Sequence, residues 1–164
     1  MKIHWTTLGN SIADRLKEIP GVKDVVLSTR VDDLLFLQPL TNSYQQGEIA
    51  AAVNLITCSV ESKGTFLLFK HQFLVFFFQR IPAGGSRVQY PSACENLVNT
   101  LLDTVGEKIS GWQDHSQRIE GVNIATATIA SITPYPAEEL LSAGWLGVMV
   151  GVNIDTIENT REEV

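Results

Sequence analysis

The densest apolar stretch of the chain is FLLFKHQFLVFFFQR, residues 66–80. Its aromatic and β-branched content predicts a long strand. Alternation sorts the side chains onto two faces. Leu67, Phe69, His71, Phe73, Val75 and Phe77 make one almost wholly apolar face. Lys70 and Gln72, then Leu74, Phe76 and Phe78, then Arg80 make the other, which is apolar over only part of its length. Helices can cover one face. The patch Leu74, Phe76, Phe78 then needs another cover, and a second copy of the chain is the expected one.

The pattern around this strand predicts the remaining elements. Apolar residues at Trp5, Leu8, Ile12, Leu16 and Ile19 recur at helical intervals, and Pro20-Gly21 stops that helix. Residues 22–31 read as a short amphipathic strand near a sheet edge. Residues 41–47 form a polar loop containing Asn42, Ser43 and Tyr44. Residues 49–60 read as a strand whose broken alternation suggests a bulge, and the turn at 61–64 joins it to the Phe-rich strand as a hairpin. A Gly-rich loop follows, with Gly84, Gly85, Ser86 and Arg87. Ser92 and Glu95 have capping-box spacing ahead of a helix whose stripe is Leu97, Val98, Leu101, Leu102 and Val105 and whose end is set at Gly106. That stripe is expected on the odd-numbered face of the Phe-rich strand. Residues 117–132 read as one or two strands with a kink at Gly121. Residues 145–154 are the last strand, where Gly147, Met149 and Gly151 alternate on one face and leave room for another backbone or a large side chain. The order predicts an α+β fold: two layers, a mostly antiparallel sheet packed on one face by two helices. The expected organisation is a single domain over 1–154 and an acidic C-terminal tail over 155–164 with Asp155, Glu158, Arg161, Glu162 and Glu163.

Composition narrows the function. The chain has 164 residues, is 45% hydrophobic and only 18% charged, which suits a protein that buries surface in an assembly. A net charge of −6 argues against a nucleic-acid-binding face, though not against a pore through which DNA slides. The start of the chain shows no signal pattern, and the longest apolar run is too short for a membrane helix. Cys58 and Cys94 have neither zinc nor redox spacing and read as buried free thiols. No metal or cofactor is expected. His4, His71 and His115 have no partner at a ligand interval, and His71 reads as a hydrogen-bonded core histidine. Asp32-Asp33 and Glu138-Glu139 are sequence neighbours and make no acid–base dyad. The glycines at 84 and 85 lack the lysine signature of a phosphate loop. No catalytic residue emerges, so the chain is read as not an enzyme.

The amphipathic helix ending in Pro20-Gly21, the hairpin leading from Phe66 through a loop to Val105, the Gly111-Trp112 turn and the closing strands together resemble the bacteriophage tail terminator, or tail completion, family. The resemblance spans nearly the whole chain. The long 34–46 segment and the 134–144 connection depart from it. It implies a structural virion protein: six copies in a ring that caps the tail tube, with the tube protein, a neck connector protein and, in a contractile tail, the sheath protein as partners. DNA would be passing cargo only, and no membrane is involved. The expected locations are the virion tail or neck and, during assembly, the host cytoplasm. A ring interface is expected at Leu74, Phe76, Phe78, Gly147, Met149 and Gly151, partner contacts on the two loops, and an outer arm from residue 155 onward. A head–tail connector is the alternative, with a small-molecule-binding domain or an enzyme behind it.

Overall fold

The structure is a computed structural model and describes residues 4–28, 43–81, 90–110, 121–135, 141–142 and 144–159. Among these residues two helices and five strands follow in the order α1 (Trp5–Leu16), β1 (Val22–Ser28), β2 (Ile49–Ser62), β3 (Phe66–Arg80), α2 (Tyr90–Ser110), β4 (Ile124–Tyr135) and β5 (Trp145–Asn159). The strands form one sheet in the order β1-β2-β3-β5-β4. Only β1 runs parallel to its neighbour; the other pairings are antiparallel. This is the two-layer α+β fold that the pattern predicts.

The Phe-rich strand is central and is paired along its whole length with β5, and over nearly all of it with β2. Its neighbours are small where it is large. Phe76, Phe77 and Phe78 face Ala52, Ala51 and Ala50 on one side and Met149, Val148 and Gly147 on the other. Cross-strand volume is thereby shared between a bulky strand and two slender ones. The odd face (Phe73, Val75, Phe77) joins Leu8, Ile12 and Leu16 of α1 and Leu97, Leu101 and Val105 of α2 in the main core. Each helix thus buries the stripe read from its spacing, although Leu102 at the edge of its stripe stays 40% exposed.

Several boundaries differ from the sequence reading. Helix α2 starts at Tyr90, so Pro91 sits in the first turn, where its missing N–H costs nothing, and Ser92 lies inside the helix rather than capping it. The helix continues through Gly106 to Ser110, because Gly106 does not take the left-handed conformation that would end it. Gly121 does take it, at φ +77°, but in the turn ahead of β4, which is a single strand. The irregularity in β2 is a bulge at Ile56, between Leu55 and Thr57. Cys94 is buried, whereas Cys58 is only half-buried. Gly111-Trp112 lies outside the described residues.

The boundary set at residue 155 is corrected by β5, which runs to Asn159. Asp155 and Glu158 are strand residues facing Lys70 and Leu67, and Thr156 is buried. The extension has a cause: β3 begins at Phe66, and its first backbone groups need a partner. Arg161, Glu162 and Glu163 lie outside the described residues.

Helix α1 comes unusually close to the sheet at Gly9. A Cβ built there would stand 2.7 Å from Leu27 Cδ1 and 2.9 Å from Leu55 Cδ2. Gly9→Val should therefore cost about 1–3 kcal/mol through overpacking. Gly9→Ala should come out near neutral, because the helix-propensity gain of about 1 kcal/mol offsets a smaller clash. Urea melts of the two variants check the pair.

Candidate functional site

The even face of β3 is where sequence reasoning places an interface, and the structure divides that face in two. Toward the Arg80 end it is apolar and closed within the chain. Phe76, Phe78, Ala50, Ala52, Trp145 and Tyr44 form a second buried cluster, with Leu74, Tyr135 and Met149 packed against it. Phe76 and Phe78 stack in parallel at 6.0 Å, and the Tyr135 ring stands edge-on to both. Tyr44 meets the Trp145 ring edge-on at 5.1 Å, and the Arg80 guanidinium lies 5.5 Å from the Trp145 ring.

This corrects the expected interface. Phe76 and Phe78 are 2% and 1% exposed, so no second copy is needed to cover them. The space beside Gly147 is filled by Tyr135, whose Cβ lies 3.1 Å from where a side chain would begin. The space beside Gly151 is filled by Ser131, whose Oγ lies 2.5 Å from the corresponding point. The small residues of β5 admit the chain's own β4, not a neighbour. Met149 and Leu74 are half-buried at the margin of the same cluster.

Tyr44 is a second correction. Its polar surroundings suggested an exposed loop contact, yet it is buried and donates a 2.7 Å hydrogen bond to Asp24 Oδ2. Burial and that carboxylate together hold the phenol protonated far above its ordinary range. Lys23 donates to the Ser43 carbonyl, stands 3.4 Å from Glu48 and lies over the Tyr44 ring. The 43–48 segment is therefore pinned to β1. Ser43 is exposed in its turn; Asn42, Gly84, Gly85, Ser86 and Arg87 lie outside the described residues.

Toward the hairpin end the same face is polar and open. Cross-strand pairing aligns Thr57, Gln72, Asn153 and Thr128 in one row, and Ser59, Lys70, Asp155 and Thr126 in the next. Lys70 and Lys63 both reach Glu61, at 2.9 and 3.1 Å. Hydrogen bonding to Lys70 and then to Lys63 holds the Glu61 carboxyl below its usual range. These pairs are exposed and water-screened, so they organise the surface more than they stabilise it. Asp155 sits on this paired surface and not on a free arm.

The opposite face holds a buried histidine. His71 lies between Phe69 and Phe73, nearly parallel to both rings, and its Nδ1 donates to the Ile154 carbonyl at 3.0 Å. Its Nε2 is buried without a hydrogen-bond partner. Cys58 is its cross-strand neighbour on β2, and His4 and Asp155 are the charged groups within electrostatic reach. Burial, its largest influence, lowers the imidazole pKa. Among the described residues, no group of three or more His, Cys, Asp or Glu could hold a metal, and no helix is long and apolar enough to cross a membrane.

One further feature has no counterpart in the sequence reading. Between α2 and the sheet lies a shallow apolar notch with room for about one water molecule, edged by Val98, Leu102, Ile129 and Ile132. It is far too small for a small-molecule site and its lining side chains are all aliphatic. The signal for it was the second irregularity in β4. A bulge at Ala130 turns Ile129 and Ile132, three residues apart, onto one face.

No family model matches the chain, and no curated protein matches it. Among solved structures, a chain from a particle described as the virion of a native gene transfer agent is similar with a TM-score of 0.46. That match covers 90% of this chain and 84% of the other, at 11% identity. At that distance shared function does not follow from shared shape.

Two outcomes test this description. Phe76→Asp places a charge in a closed cluster and should unfold the protomer, seen as loss of the cooperative melt, rather than yield a folded monomer. His71 is neutral when folded and has a higher pKa when unfolded, so the unfolded chain binds more protons. Stability should be full above about pH 6.5 and fall as pH drops through the lowered folded value. His71→Gln should flatten that acid limb in urea melts run from about pH 5 to 8.

Proposed function

We propose that the chain is a structural protein of a tailed, phage-like virion: a tail terminator that assembles as a ring, taken as six copies, on the end of the tail tube. The observation that carries the reading is the element order. An amphipathic helix closes on Pro20-Gly21, where Gly21 takes φ +89°. A short strand follows, then a long hairpin whose second strand leads into α2, and two strands close the sheet. That is the order on which the resemblance to tail terminators rests.

The character of the surfaces supports it. A cap needs one surface that matches the tube and another that does not, and it needs no reacting group. The open, hydroxyl- and amide-bearing half of the even face carries Lys63 and Lys70 against Glu61 and Asp155, so it neither grips nor strongly repels phosphate. Such a face suits contact with passing DNA or with another virion subunit. The reading assigns no chemical step, metal or cofactor. Its partners are further copies, the tail tube protein, a neck connector protein and, in a contractile tail, the sheath protein.

The test is removal of the protein from the particle. Without a terminator, tube growth has no stop, so tubes should become longer and more variable in electron micrographs, and heads should remain unattached. Purified protein added back should restore uniform length. Tubes of normal length without the protein would overturn the terminator assignment; normal tubes that fail only to join heads would favour a connector.

A further inference from the structure

Among the described residues β4 is the outermost strand on the α2 side, and its sequence, IATATIASITPY, carries no charge. An edge strand offers unpaired N–H and C=O groups, and proteins guard it with charges, above all lysine, with proline and bulges, or with a cover. Thr126, Thr128, Ala130, Ser131 and Thr133 are instead exposed and rich in strand-forming residues. Two bulges, at Ala125 and Ala130, and Pro134 interrupt the edge, leaving Thr126 to Ile129 as its longest regular stretch. Along its helix side runs the apolar notch, with Leu102 exposed at the rim.

The other edge of the sheet is β1. Its two charged residues are occupied within their own chain: Lys23 with Glu48 and the Ser43 carbonyl, Asp24 with the Tyr44 hydroxyl. What β1 presents outward is therefore largely aliphatic. Val26 is 37% exposed on the even face, and Val25 and Leu27 are half-buried on the helix face.

We infer that the β4 edge receives strand β1 of a second copy, so that the sheet continues across the subunit boundary. The inference rests on the ring reading above and supplies its subunit contact. Both edges keep the helices on the same face, so the incoming α1, which lies over β1 and β2, is carried toward α2. Val25 and Leu27 of the incoming strand, packed under their own α1, then lie on the same side of the sheet as Leu102 and Ile129. The two edges are different surfaces of one chain, so the contact is head-to-tail and propagates until it closes as a ring. Pairing of β4 with β4 would instead end at a two-fold dimer.

Two exposed positions test the contact without touching the core: Thr128→Lys on β4 and Val26→Lys on β1. Circular dichroism melts should match the unaltered protein. Native mass spectrometry of the full chain, with and without tail tube protein, should show a ring for the unaltered protein. Each variant alone should stay monomeric to concentrations at least about ten-fold higher. Mixed one to one, the variants should form a dimer, because one brings an intact β4 and the other an intact β1. Hydrogen exchange should slow across residues 126–133 when the ring forms. A ring from either variant alone, a mixture that remains monomeric, or loss of assembly in Thr128→Lys only, would overturn the contact. A ring whose β4 amides exchange freely would overturn the contact and leave the ring reading standing. Monomer alone, with tube protein present, would overturn both.

Discussion

The structure depends on β3 being paired on both sides over about its full length. Fifteen residues of β5 face it without a break, and β2 faces it with one bulge. Such a strand fixes its neighbours more than they fix it. A one-residue slip would exchange the faces, sending Phe73, Val75 and Phe77 away from both helices. The run Phe76, Phe77, Phe78 also sets which residues the flanking strands can hold. Alanine at 50–52 and glycine at 147 are the concessions that let three successive phenylalanines lie in one layer. Both cores follow from this arrangement, one on each face of the same three residues.

Among the described residues, side chains rather than a second layer of secondary structure close the apolar half of the even face. Aromatic side chains from the margins fold over it: Tyr44 from the segment ahead of β2, Tyr135 from the end of β4 and Trp145 from the start of β5. Each brings a large buried area at the cost of few rotatable bonds. Tyr44 is held by Asp24, so this cover is tied to β1 by a hydrogen bond as well as by packing. One consequence concerns assembly. Once the apolar half of the face is consumed inside the protomer, the surfaces left for other copies are the sheet edges, the polar half-face and the helix side.

The sequence made the periodic parts legible and the closing contacts not. Residues 5–16, the helical stripe from Leu97 to Val105 and the two faces of β3 are set by intervals of 3.6 and 2, which are visible in a single chain. So was the bulge in β2, through its broken alternation. The cover over Phe76 and Phe78 was not, because Tyr44 and Tyr135 lie far from β3 in sequence and no local pattern marks them as core. For the same reason Gly147 and Gly151 were read as room for a neighbour when they are room for β4. The end of β5 was misplaced because Asp155 and Glu158 looked like the start of a tail. On a strand, charged residues at a sheet surface are ordinary, and the β-branched Thr156 and Ile157 between them were the better signal.

The low charge of the chain takes on a specific meaning once the sheet is laid out. Ion pairs are present at the hairpin tip and beside β1, where each serves a local purpose. Among the described residues none stands on β4, an outermost strand of 12 residues interrupted by two bulges and Pro134, with a shallow apolar notch beside it. In a protein that acts as a monomer, such an edge invites non-specific pairing and aggregation. In a protein that acts as a closed assembly the same edge is covered for most of its life, and a charge there would have to be desolvated when the contact forms. The absence of charge is thus unfavourable to the isolated protomer and favourable to an assembled one. Under the proposed contact, β4 rather than the phenylalanines is where a second copy would join, because the hydrophobicity of Phe76 and Phe78 is already spent within the fold.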